Sequence, residues 1–153
     1  MKQLDLQKIL SIKNAKDFIK EAIEMVSEST RPLLANRSEM KEVYDVYQEY
    51  LRTKGIAWDT ERRKHFLFVI IYIYCPNVLI GDPMPKGFRR ELKELLNVGA
   101  NSVISNHSRD LLFLYRQYRD FREEVDAAYE YISERMGIED NFDSSKMMLG
   151  LSV

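Results

Sequence analysis

Apolar side chains recur at steps of three and four along most of this chain, the spacing of helices that pack on one face. Asn14 can cap a helix from Ala15 to about Ser29, with Phe18, Ala22, Met25 and Val26 on its stripe and Ile19 and Ile23 beside them. Thr30-Arg31-Pro32 ends it. Asn36 followed by Glu39 has the spacing of a capping box. The helix it opens carries Met40, Val43, Tyr44, Tyr47 and Leu51 and stops at Gly55.

A third element starts at Asp59 or Thr60 and closes at Pro76. Its stretch from Phe66 to Tyr74 is rich in β-branched and aromatic residues, which suits a strand. Two features favour a helix. The polar lead-in from Asp59 to Lys64 reads as a cap and first turn, and no second run offers an obvious strand partner. A helix that is apolar all round belongs at the buried centre of a fold. Residues 76–87 hold three prolines and two glycines and form a loop.

A short helix from Phe88 to Leu96 and an Asn/Gly turn follow. From Asn101 the apolar series runs Val103, His107, Leu111, Leu114, Tyr118, Phe121, Val125, Ala128 and Ile132, which predicts one long helix ending near Met136-Gly137. Such a helix is roughly 50 Å long, against a diameter of about 35 Å for a domain of this size. Part of it must overhang, take a partner chain, or be clasped by the N-terminal helices. Residues 137–153 lose the periodicity and mix Asp and Ser with Met147-Met148-Leu149, which predicts a flexible tail or a segment that docks onto a protein partner.

Composition fits this picture and narrows it. At 153 residues, 45% hydrophobic and 31% charged, the chain suits one ordinary globular domain, or a small domain with an arm and a tail. A net charge of -1 argues against a uniformly basic nucleic-acid binder but leaves room for a local patch. A single cysteine allows no internal disulfide and suits a reducing compartment. Met1-Lys2-Gln3-Leu4-Asp5 has an acidic residue and no apolar h-region, unlike a signal peptide. The run Phe66 to Cys75 is about half the roughly 20 residues needed to cross a bilayer. The expectation is a soluble, cytoplasmic protein with no membrane partner.

The candidates for chemistry are few. Two histidines and one cysteine, without HExxH or CxxC spacing, predict no metal site. His107 lies on the core stripe and reads as a packed or interface histidine; His65 reads as a solvated or capping side chain. Cys75 reads as a small buried apolar residue. The loop Gly81 to Gly87 lacks the GK[ST] ending of a phosphate loop. Glu123, Glu124, Asp126, Glu130 and Glu134 spread over several turns as a solvated face. Glu139-Asp140-Asn141 with Asp143 lacks the glycine and closing glutamate of a calcium loop. No catalytic constellation and no cofactor motif emerges, so a non-enzymatic protein is expected.

The region from Lys86 to Arg122 is more informative. Leu92, Leu95 and Leu96 end the short helix, Asn97 can take a left-handed turn, and Val98 and Val103 can lock the next helix in place. Over residues 88–112 this resembles helix-turn-helix DNA-binding domains, in particular small bacterial or phage regulators and the promoter-reading domain of sigma factors. Lys93 stands where those domains usually have a small residue, and Asn106 where they usually have a branched apolar one. The fold class expected is therefore all-α. It is a helical bundle with a helix-turn-helix-like unit and a long C-terminal helix, forming one domain over 1–136. Within it lie N-terminal helices (1–58), a core helix (59–76), and the two-helix unit with the long helix (87–136).

The resemblance implies a second helix inserted in the major groove. On a wheel whose core direction is Val103, His107 and Leu111, Ser102, Ser105 and Arg109 point away, with Asn106 beside them and Asn101 at the helix start. Such side chains read base edges. Lys86, Arg89 and Lys93, with Arg116 two turns beyond Arg109, are the expected phosphate contacts. From Lys86 to Arg122 eight Lys/Arg stand against four Asp/Glu, a local excess of +4. The expected function is a sequence-specific or structural DNA-binding protein, a transcriptional regulator of a bacterium or phage, with a homodimer through the long helix supplying a second half-site. The alternative is a helical assembly or adaptor protein, such as a phage or mobile-element component, that binds proteins through the outward-facing Phe113 and the tail.

Overall fold

A computed structural model describes residues 2–140. They fall into two units, residues 2–31 and Pro32–Asp140. Among the described residues all regular structure is helical. Of the tail expected over 137–153, residues 141–153 lie outside them, while Ile138 packs against the core and its N–H donates to the Ser133 carbonyl at 2.9 Å.

The first unit holds one helix, α1 (Leu6–Ser29). It begins eight residues before the cap expected at Asn14, because the Asp5 side chain accepts a hydrogen bond from the Lys8 N–H at 3.1 Å and does the capping instead. None of its 24 residues is buried.

The second unit is a bundle around α3 (Thr60–Tyr74). Asp59 caps this helix by accepting from the Arg62 N–H at 2.8 Å. Every residue from His65 to Ile71 is buried, and so are Ile73 and Tyr74. An apolar surface on all sides needs neighbours on all sides. They are α2 (Met40–Lys54), α5 (Asn101–Ser108), α6 (Leu111–Gln117) and α7 (Arg119–Met136). At one end Phe66 sits among aromatic rings, 5.5 Å from Tyr44, 5.4 Å from Tyr47 and 6.5 Å from Trp58 between centroids. The entering chain is tied to the other end by the Leu33 N–H, which donates to the Ile73 carbonyl at 2.8 Å.

His65 departs from the solvated reading. It is 3% exposed, lies edge-on to Phe121 at 4.8 Å, and holds Nε2 3.6 Å from a Glu61 carboxylate oxygen. Burial lowers its pKa from the ordinary 6.5 despite the opposing pull of Glu61. A histidine held neutral in the fold adds stability that is complete above its unfolded pKa and is lost as pH falls towards the lowered folded value. Acid titration of the melting temperature should therefore show a loss that begins near pH 6.5, above the carboxylate range. His65→Phe should flatten that part of the profile; an unchanged profile would show that His65 does not contribute.

The single long helix predicted from Asn101 is three helices. Its periodicity continues through α5, α6 and α7, but Asp110 (φ -108°, ψ 11°) and the extended Tyr118 (φ -114°, ψ 112°) break it twice. The breaks answer the length problem, since a straight rod would outrun the bundle. At the first break the Ser108 hydroxyl donates back to the Ile104 carbonyl at 2.6 Å, a local bond that competes with helix continuation. After the second, Phe121, Val125, Ala128 and Ile132 form the buried stripe of α7, as their spacing predicts. Tyr118, expected on the same stripe, is 55% exposed.

Candidate nucleic-acid interface

The candidate site is built from α4 (Phe88–Leu96) and α5, with a four-residue turn between them. α4 buries Phe88, Leu92 and Leu96. Asn97 ends it in the left-handed conformation at φ 53°, the one positive φ outside glycine among the described residues. The N–H groups of Asn97 and Val98 donate to the carbonyls of Glu94 and Lys93 at 3.3 and 3.2 Å, so the last turn is satisfied. The turn geometry thus follows the reading of Asn97 from sequence.

The lock between the two helices differs from the expected one. Val98 packs on the core, but the second contact comes from Ile104, which is wholly buried, while Val103 is half-buried. α5 is accordingly rotated from the expected wheel. At about 100° per residue, Ser102, Asn106 and Arg109 lie opposite Ile104, and all three are exposed. Asn101 is exposed at the start of the helix; Ser105 sits on its flank, half-buried, with its hydroxyl donating to the Asn101 carbonyl at 3.4 Å. The rotation explains why Asn106 need not be apolar: it points to solvent, and Ile104 does the packing.

The cations fall into two groups. Arg89 of α4 joins Ser105 of α5 and Arg109, which follows that helix, along a groove of about 570 Å³ whose other wall is residues 78–84. Lys86 and Arg116 are exposed and Lys93 is half-buried, but none of the three lines that groove. Among the described residues, no ion pair engages Lys86, Arg89, Lys93, Arg109 or Arg116. Two local acids are occupied instead: Glu94 faces Arg90 at 4.0 Å, and Glu91 is held by Arg37. One carboxylate, Asp82, lines the groove with Arg89 and Arg109, and its Oδ2 accepts from the Asn77 amide at 3.4 Å.

Arg37 is a contributor that sequence reading did not single out. Its guanidinium forks onto Glu91, with Nε to Oε2 at 2.9 Å and Nη2 to Oε1 at 2.5 Å. Nη2 also donates to the Lys86 carbonyl at 3.2 Å, and the group lies 5.4 Å from the Phe88 ring centroid. It packs close to Gly87, whose φ of 82° suits glycine. One side chain from the segment before α2 thus fixes the start of α4. With the two side chains 33% and 40% exposed, solvent screens part of the pair. Arg37→Ala should cost about 1–2 kcal/mol in denaturant unfolding. A change within experimental error would show that α4 is positioned without it.

His107, placed on the core stripe by sequence, is half-buried. Burial lowers its pKa, and the charges of Arg63 and Lys64 act in the same direction. These two cations belong to the first turn of α3, which packs against α5. Their only sequence signal was a polar lead-in, so their approach to α5 was not legible.

Phe113 is 57% exposed, as expected, and meets Tyr118 edge-to-face with centroids 6.4 Å apart. Cys75 is buried, and burial pushes its thiol up to about 12. Among the described residues no cluster of His, Cys, Asp or Glu could hold a metal ion, and no helix is long and apolar enough to cross a membrane. The chain matches no protein-family model, no curated protein and no solved structure.

Proposed function

We propose that this chain binds double-stranded DNA, with α5 entering the major groove in the manner of a helix-turn-helix protein, as a transcriptional regulator of a bacterium or phage would. The observation that carries the reading is the exposed line Ser102, Asn106 and Arg109 opposite the buried Ile104, of which Arg109 shares a groove with Arg89. Arginine and asparagine can each make paired hydrogen bonds to guanine and adenine. Asn101 and Ser105 flank that line as secondary base contacts. Lys86, Arg89, Lys93 and Arg116 would hold phosphates and fix the angle of entry. The role is one of binding, without a catalytic step or cofactor.

The test is a titration of the full chain on duplex DNA at two salt concentrations. Four phosphate contacts give a slope of about -3 to -4 in log affinity against log salt. Arg109→Ala should weaken binding to a preferred site by about 1–3 kcal/mol and relax specificity at one base pair. Absence of binding at low salt would end this reading.

A second reading has its own observation, the exposed pair Phe113 and Tyr118. Exposed aromatics at a helix junction suit a protein contact, as an assembly or adaptor protein would use. Under that reading Phe113→Ser abolishes association, whereas reversing the charge of Arg89 and Lys93 leaves it intact.

A further inference from the structure

Arg89 and Arg109 supply positive charge along one flank of α5. With the buried Ile104 as the inward direction, at about 100° per residue Ser105 and Ser108 turn to one side and Val103 and His107 to the other. Ser105 and Ser108 line the groove that holds the two arginines. On the opposite flank, His107 feels the charges of Arg63 and Lys64, which stand at the start of α3, a helix packed against α5.

The fold makes no evident use of this second pair of cations. Among the described residues, Arg63 and Lys64 enter no ion pair, although both are half-buried. Arg63 Nε and His107 Nδ1 are buried without a hydrogen-bond partner. The acids nearest in the chain face elsewhere. Asp59 meets Arg62 at 3.5 Å, Glu61 meets His65 at 3.6 Å, and Asp110 is exposed at the break after α5. Two like charges in a half-buried corner repel each other, and solvent screens them less than on an open surface. An anion relieves that repulsion.

The dimensions of DNA say which anion reaches both flanks. The major groove is about 12 Å wide, and a helix with its side chains is about 10–12 Å across. A helix seated in the groove therefore has one phosphate backbone along each side. With Ser102, Asn106 and Arg109 turned to the base edges, the Arg89 flank meets one strand and the His107 flank meets the other.

We infer that Arg63 and Lys64, beside His107, form a second phosphate site, which holds the DNA strand opposite the one met by Arg89. The site presupposes the DNA reading and adds two phosphate contacts to the four counted there.

The salt dependence of binding is measured on a mixed-sequence duplex, and phosphate ethylation interference on a duplex that the full chain selects from a random library. Interference should show two clusters of essential phosphates, one on each strand across the major groove. Arg89→Gln should erase one cluster, and Arg63→Gln combined with Lys64→Gln should erase the other. The combined variant should also make the salt slope shallower by about 2, at about 0.9 per phosphate. Its loss of affinity should be equal on selected and mixed sequences. Because Arg63 Nε is buried, Lys64→Gln is also tested alone. It should thin the second cluster and make the slope shallower by about 1, with circular dichroism unchanged. Phosphates confined to one strand, loss of the same cluster in both variants, or an unchanged slope would overturn the second site and leave the DNA reading in place. A chain that binds no duplex at low salt overturns both.

Discussion

Phe66→Ala is expected to cost about 3–5 kcal/mol of folding stability, the range for truncating a buried aromatic ring. Phe66 is wholly buried, and its ring touches Tyr44, Tyr47 and Trp58, so no single neighbour can swing in to fill the space. A domain of this kind holds about 5–15 kcal/mol in total, so the variant would sit close to unfolding. In urea the transition midpoint should fall sharply with its slope unchanged. Phe113→Ala is the matched control: the same deletion at a 57% exposed position should shift stability by no more than about 0.5 kcal/mol. Equal effects at the two sites would contradict a core centred on α3.

Ile104→Ala should cost about 2–5 kcal/mol, and its effect should be concentrated in α5. Ile104 is the only buried residue of that eight-residue helix, so the helix is held to the bundle largely through one side chain. Losing it should release α5 before the bundle unfolds. Amide exchange within Asn101–Ser108 should then accelerate far more than exchange in α3. If α5 is the reading helix, DNA affinity falls with it, whereas Val103→Ala, at a half-buried position, should be much milder. Uniform acceleration across α3 and α5 would show that α5 is not a separately held element.

These two residues mark what was legible in the sequence. Phe66 lies in an unbroken apolar run, and a helix apolar on all sides has only one place to go. Ile104 was harder, because Val103, Ile104 and His107 offer similar apolar content and the wheel can be turned by a fraction of a step. The choice among them depends on what α3 presents to α5, and no local pattern encodes that. His65 was misplaced for a related reason. It opens an apolar run and sits four residues after Glu61, which suits a solvent-side pair, yet the ring of Phe121 closes over it.

The sequence by itself determined α2, α3 and α4 and most of their ends. Steps of three and four, the caps Asp59 and Gly55, and the left-handed Asn97 are local matters, decided by backbone sterics and nearby hydrogen bonds. It also determined the concentration of positive charge between Lys86 and Arg122. Only the tertiary structure decided that the final periodic segment bends at Asp110 and Tyr118, because its apolar spacing runs on unbroken through both positions while a straight helix would outrun the bundle. Only it brought Arg37 across 54 residues to Glu91, and Arg63 and Lys64 beside His107. Such contacts depend on which faces remain free once the apolar stripes have packed, and that is a property of the assembled bundle.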